Sequence, residues 1–197
     1  MLYQDFLQRD TLDHADLLAL GYGRLLDDPP PGWVNRTPTP PLLMFDRVTQ
    51  VDRSPRGGAI VAEQDLRVDA WYFHCHFVDD PVQPGCLGLD ALWQLLGLWL
   101  ALTGAVGSGR ALGCGEVEFG GQIRPHDQLV RYELSVKRRL ARGDATLCVA
   151  DGSVSVDGDP IYTARDLRVG LFSGIAYDDY PRPSPLSRGG QLRRGGA

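Results

Sequence analysis

Hydrophobic positions fall along this chain in distinct rhythms. One is strict alternation: Leu129-Val130-Arg131-Tyr132-Glu133-Leu134-Ser135-Val136-Lys137 puts an apolar side chain at every second position from Val130. That is the period of a half-buried antiparallel strand. Ala111–Ile123, Leu129–Leu140, Ala145–Val156 and Ile161–Phe172 share a content rich in Val, Ile, Leu, Tyr and Thr and are predicted as four successive strands. Turn sequences separate them: Arg124-Pro125-His126-Asp127, Arg142-Gly143-Asp144 and Asp157-Gly158-Asp159-Pro160. Leu42–Val51 and Gly58–Arg67 supply two earlier strands across the polar turn Asp52–Gly57.

Between these groups lies Cys86–Thr103, apolar almost all the way round and predicted as a helix. Such a helix must be buried on nearly every side, and a chain of this size does that by wrapping a sheet around it. The expected fold class is α+β, a long antiparallel sheet curled round one central helix. Upstream, Thr11–Leu20 reads as a short amphipathic helix with Thr11 or Asp13 as N-cap and Gly21 as its stop. Asp27–Pro41 holds six prolines and a glycine, so it is expected as an irregular arm lying over something else. Residues 1–176 are expected to form one domain. Residues 177–197, rich in Pro, Gly, Ser and Arg without periodicity, read as a disordered tail.

Composition narrows the function classes. A net charge of -5 argues against a nucleic-acid binder. Cys75, Cys86, Cys114 and Cys148 show no C-x-x-C spacing, and Met1–Gln8 has no basic-then-apolar leader pattern. Reduced thiols and a cytoplasmic location are therefore expected. The apolar Cys86–Thr103 run falls just short of the roughly 20 residues that span a bilayer. It also carries Asp90 and Gln94, and an intramembrane carboxylate costs on the order of 3 kcal/mol. No membrane span is expected.

Candidate chemistry concentrates ahead of that helix. Pro84-Gly85 delivers the chain into it, and the first amides, from Gly85 and Cys86, lack intrahelical acceptors and carry the positive end of the dipole. A carbonyl oxygen docked there would be polarised as a neighbouring C–H loses its proton; a Pro-Gly pair also simply starts helices. His76 lies in the aromatic stretch Trp71–Phe77, where a neutral imidazole can act as a base or pack as a structural residue. Asp90, on so apolar a helix, is expected to have a raised pKa and to serve as an acid. Gln94, one turn on, is placed to hold it, and Arg110 to oppose the desolvation. His74 and His76 would share a face of an extended segment, but no further ligand completes a metal-site spacing. No metal or other cofactor is expected. Gly107–Gly113 imitates a dinucleotide fingerprint with the wrong spacing and context. Asn35-Arg36-Thr37 is a glycosylation sequence without secretory context. Lys137, Arg138, Arg139 and Arg142 form a basic patch on an acidic chain, either a solvated edge or a dock for an acidic partner.

The run C-H-F-x-x-D-P-V-x-P-G-C-L-G-L-D-A-x-W-Q-L, Cys75 to Leu95, together with Gly109–Val117 and more loosely Ile161–Phe172, resembles the bifunctional β-hydroxydecanoyl-acyl-carrier-protein dehydratase/isomerase family. The resemblance implies a hot-dog fold and a homodimer with active sites at the subunit interface. It implies His76 as the base and Asp90, from the opposite subunit, as the acid. Gly85 and Cys86 would bind the thioester carbonyl, with Val82, Gln94 and Arg110 in support, and no cofactor would be needed. It further implies an acyl carrier protein bearing a 3-hydroxyacyl chain as partner; because that carrier is acidic, the Lys137–Arg142 patch is the expected dock for it. The sister dehydratases that do not isomerise carry Glu at the position of Asp90. His74, Asp79 and Gln83 stand where Gly, Gly and Met would be expected; Asp79 would raise the pKa of His76, and Gln83 would alter the pocket wall. The alternatives are a hot-dog acyl thioesterase and a non-catalytic acyl-binding protein.

Overall fold

The computed structural model describes residues 1–54 and 57–175. The tail expected over 177–197 lies outside them. Two short helices open the chain, α1 (Tyr3–Gln8) and α2 (His14–Gly21). Asp13, not Thr11, caps α2: its side chain accepts from Asp16 N–H while Asp16 reaches back to Asp13 N–H, a reciprocal box. Gly21 is the last helical residue rather than the stop. The Pro-rich arm is irregular, as expected, and two buried side chains pin it. Asn35 Nδ2 donates to Ala105 O and its Oδ1 accepts from Gly107 N–H; Thr37 Oγ1 donates to Leu17 O. Asn35 is thus only 4% exposed and fully engaged, which closes the glycosylation reading in the folded chain.

Strands β1 (Arg47–Asp52), β2 (Ala59–Asp65), β3 (Ser108–Gly113), β4 (Glu116–Phe119), β5 (Leu129–Arg142), β6 (Ala145–Val156) and β7 (Asp159–Phe172) form one antiparallel sheet, ordered β1-β2-β5-β6-β7-β3 with β4 also on β7. Helix α3 (Gly85–Leu102) lies in its concavity, with Leu92, Leu95, Leu96 and Leu100 almost wholly buried. Thr103 closes it, donating from its hydroxyl to Trp99 O and Leu100 O, and Gly104 follows at φ 86° in the left-handed conformation. A long antiparallel sheet around a central helix is the hot-dog fold. By length and composition α3 could cross a membrane; here its apolar side chains meet β7, β5, β6 and β2 instead.

Two expected elements differ. The strand predicted over Leu42–Val51 begins only at Arg47, because the backbone of Leu42 and Met44 is bonded to the Gln94 side chain instead of a ladder. The strand predicted over Ala111–Ile123 is split into β3 and β4. A bulge between Ala111 and Gly113 faces Val169–Arg168, and Cys114-Gly115 fold onto Arg165 O through the Cys114 thiol and Gly115 N–H. The same place on β7 carries Asp166 at φ 52°. Gly107–Gly113 is therefore a helix-to-strand passage, not a phosphate loop.

Candidate active site

The segment before α3 is held residue by residue. Trp71–His74 forms a 3-10 turn, so His74 and His76 do not share an extended face. His76 N–H donates to Tyr72 O at 2.9 Å, and its ring Nδ1 lies 3.0 Å from Val82 O. A carbonyl can only accept, so Nδ1 is the protonated nitrogen of the neutral ring, and in that tautomer the lone pair falls to Nε2. Phe77 stacks obliquely on the imidazole, with centroids 4.0 Å apart. Arg124 clamps the loop from outside, pairing with Asp80 and donating to Pro81 O at 3.3 Å. Asp79 is exposed and forms no ion pair with His76 among the described residues.

Helix α3 starts at Gly85 with Pro84 as N-cap and no side-chain cap. Leu87 N–H already bonds Pro84 O, whereas the Gly85 and Cys86 amides have no acceptor among the described residues. Cys86 is exposed. Gly85 is needed for space: a Cβ there would lie 2.9 Å from the Phe119 ring, and one at Gly88 would lie 2.7 Å from Tyr162. Phe119 and Tyr162 meet edge to face at 4.8 Å, so this pair of rings fixes how closely α3 approaches the sheet. Burial raises the pKa of Tyr162 and Tyr72, and raises that of Tyr132 far more. These phenols stay protonated near neutral pH and supply no base.

Asp90 occupies a different place. Within one chain it is half-buried rather than enclosed, because its side of α3 faces an open cavity of about 420 Å³ instead of the sheet. Gln94 Nε2 donates to Asp90 Oδ2 at 2.6 Å and to Leu42 O at 2.8 Å, while Gln94 Oε1 accepts from Met44 N–H at 3.2 Å. Arg110 lines the same cavity and donates to its neighbour Gly109 O. The fold thus gathers Asp90, Gln94 and Arg110 in one place and His76, Val82, Gly85 and Cys86 in another. Among the described residues, the hydrogen bonds of Asp90 and Gln94 go to each other, Leu42 and Met44, and none goes to the His76 set.

The basic patch is uneven. Lys137 sits at the β5 bulge and bridges Asp151 at 2.7 Å and Asp166 at 3.0 Å, so it is spent inside the chain. Arg138, Arg139 and Arg142 are exposed. Among the described residues no three His, Cys, Asp or Glu side chains group as a metal site would require.

Sequence reasoning missed the setting of Gln83. Expected on a pocket wall, it is 1% exposed and lies among Gln64, Tyr72 and Tyr132 beneath the loop. Gln64 offered a signal: it continues the inward-facing positions of Ile60 and Ala62 on β2, where a polar residue needs partners.

The FabA-like domain model matches residues 37–165, well over half of the chain and inclusive of His76, Gly85 and Asp90. Solved structures similar to it include the dehydratase heterocomplex ApeI:P from Xenorhabdus doucetiae, at 14% identity over 68% of this chain and 85% of that one, TM-score 0.49. A hypothetical thioesterase with coenzyme A from Streptococcus pneumoniae TIGR4 matches at 14% identity over 63% and 84%, TM-score 0.41. The sigma28-regulated virulence protein Cj0977 from Campylobacter jejuni matches at 8% identity over 69% and 80%, TM-score 0.46. At such identities and scores none of them says what this chain acts on.

Proposed function

The chain belongs to the FabA-like domain family, and on that premise we propose that it dehydrates 3-hydroxyacyl thioesters on an acyl carrier protein to trans-2-enoyl products, with isomerisation to cis-3-enoyl as a second step, in cytoplasmic fatty-acid synthesis. One observation carries this reading: an imidazole whose Nδ1 is tied to Val82 O, leaving Nε2 basic, sits on the loop that feeds the uncapped start of α3. His76 Nε2 takes the proton from C2 of the substrate. The charge that moves onto the thioester oxygen is met by the Gly85 and Cys86 amides. Asp90 protonates the C3 hydroxyl, the C–O bond breaks, water leaves and a C2–C3 double bond remains. The protonated imidazole and the carboxylate then return to their starting states by exchange with solvent. Isomerisation needs only a proton removed at C4 and one delivered to C2, within reach of the same imidazole. Neither step calls for a metal or organic cofactor.

The separation of the two residue sets supports a homodimer. Among the described residues that line the Asp90 cavity there is no histidine, and the tip just after His76, Phe77-Val78, is 56% and 85% exposed. A partner's tip seated beside Asp90 would bring a second chain's imidazole to the acid. Arg138, Arg139 and Arg142 are the exposed cations for docking an acidic carrier; Lys137 contributes little while Asp151 and Asp166 hold it.

The test is product analysis with 3-hydroxydecanoyl and decanoyl thioesters. Enoyl product from the first alone, lowered about 10²- to 10⁴-fold in His76→Ala and in Asp90→Asn, is the expected result. Free thiol released from both without enoyl absorbance would mean a thioesterase, and no turnover of either would mean an acyl-binding protein.

A further inference from the structure

The peptide unit between Val82 and Gln83 is hydrogen-bonded on both sides. Its carbonyl accepts from His76 Nδ1 at 3.0 Å, and its N–H donates to Ile123 O, also at 3.0 Å. Because a peptide unit is planar, fixing one edge orients the other, and an amide polarised by donating makes its own carbonyl a stronger acceptor. The side chain that leaves this unit is Gln83, which runs into the core rather than toward the cavity.

There it joins a closed polar cluster. Gln83 Nε2 lies 3.5 Å from Gln64 Oε1, Tyr132 OH donates to the same oxygen at 2.9 Å, and Gln64 Nε2 reaches Tyr72 OH at 3.4 Å. Tyr132 and Gln64 belong to β5 and β2, so the cluster is seated on the sheet. Tyr72 closes the circuit, because its backbone oxygen holds His76 N–H. The three hydrogen bonds that tie His76 to backbone are thus made by Tyr72 and by the residue next to Gln83, since Val82 N–H also donates to His76 O at 2.8 Å. An amide buried in a core, with Gln83 Oε1 lacking any partner, is unfavourable unless it does something a methionine would not.

We propose that Gln83, acting with Gln64 and Tyr132, is a positioning residue for His76: it locks the Val82–Gln83 peptide and thereby holds the imidazole in its Nδ1–H form with Nε2 turned to substrate. The inference rests on the reading of His76 as the base. Gln83 touches no reacting atom, so its loss acts on the ring's tautomer and orientation rather than on substrate binding.

The experiment compares full-length wild type with Gln83→Met, a near-isosteric apolar change, by nitrogen NMR of the histidine rings at pH 8, with His76 identified by the signal lost in His76→Ala. Wild type is expected to show a single Nδ1–H tautomer and Gln83→Met a mixture. With 3-hydroxydecanoyl thioester, kcat is expected to fall about tenfold while KM stays within about twofold. Tyr132→Phe, which removes only the hydroxyl on Gln64, is expected to move both readouts the same way by less, and it decides the matter should Gln83→Met fail to fold. An unchanged tautomer in a folded variant overturns the proposal. If instead His76→Ala keeps wild-type turnover, the reading of His76 as the base falls, and the tautomer comparison still decides whether Gln83 orients the ring.

Discussion

Gln94 spends one side-chain amide on three partners: Asp90, Leu42 O and Met44 N–H. Gln94→Leu would strip a buried donor and a carbonyl of their partners and leave the Asp90 carboxyl unheld. Urea denaturation is expected to show a loss of about 1–3 kcal/mol, with turnover reduced in step because the acid loses its orientation. The Gln94–Asp90 pair was legible in the sequence from its one-turn spacing, whereas Leu42 and Met44 come from a distant loop that no local rule connects to α3. Val82, by contrast, acts through its backbone, which side-chain identity never reveals. Cys148 makes a second prediction at this scale. Burial pushes its thiol from the ordinary value of 9.0 up to about 11. The fold favours the neutral thiol, so stability is complete below the unfolded-state pKa and declines as pH rises from there toward 11. Denaturation at pH 7.5 to 10.5 should show a steeper alkaline loss in wild type than in Cys148→Ala, although the variant starts lower for lack of packing.

Helix α3 and its neighbours are matched through small residues as much as through leucines. Gly88 admits the Tyr162 ring, and Gly152 on β6 admits Leu92 of α3, where a Cβ would come within 2.9 Å. At Gly88 two effects oppose each other. Alanine is preferred over glycine inside a helix by about 1 kcal/mol, but overpacking costs about 1–3 kcal/mol where neighbours cannot yield. Tyr162 is buried and braced by Phe119, so overlap should win and Gly88→Ala should lower the melting temperature. A variant more stable than wild type would show that the two rings can swing aside. The boundaries of α3, β6 and β7 were predictable within a residue or two because long periodic runs dominate their local signals. The β3–β4 break was not, since its cause is a bulge paired with Asp166 at positive φ on another strand. Helix α1 escaped notice for a similar reason: six residues hold together by sinking Phe6 into the core rather than by their own periodicity.

At the scale of the molecule, His76 and Asp90 belong to separate parts of one chain, and the proposed reaction would draw its missing half from a second copy. The apolar side chains left in water support such a partner: Trp71, Phe77, Val78, Leu112 and Phe119 are all exposed in the isolated chain. Val78→Asp should therefore weaken self-association in sedimentation while leaving the far-UV spectrum intact. A mixing experiment is more demanding. His76→Ala and Asp90→Asn homodimers each lack one reacting group at both sites. Dissociated together and refolded at equal concentration, random pairing makes half of the dimers mixed, and in each of these one site receives both intact residues while the other receives neither. Turnover should recover to about a quarter of wild type from this symmetry, and it should stay absent when either variant is refolded alone. Recovery of nothing, with mixed dimers demonstrated by mass, would mean that His76 and Asp90 serve the same site from a single chain or do not share one at all.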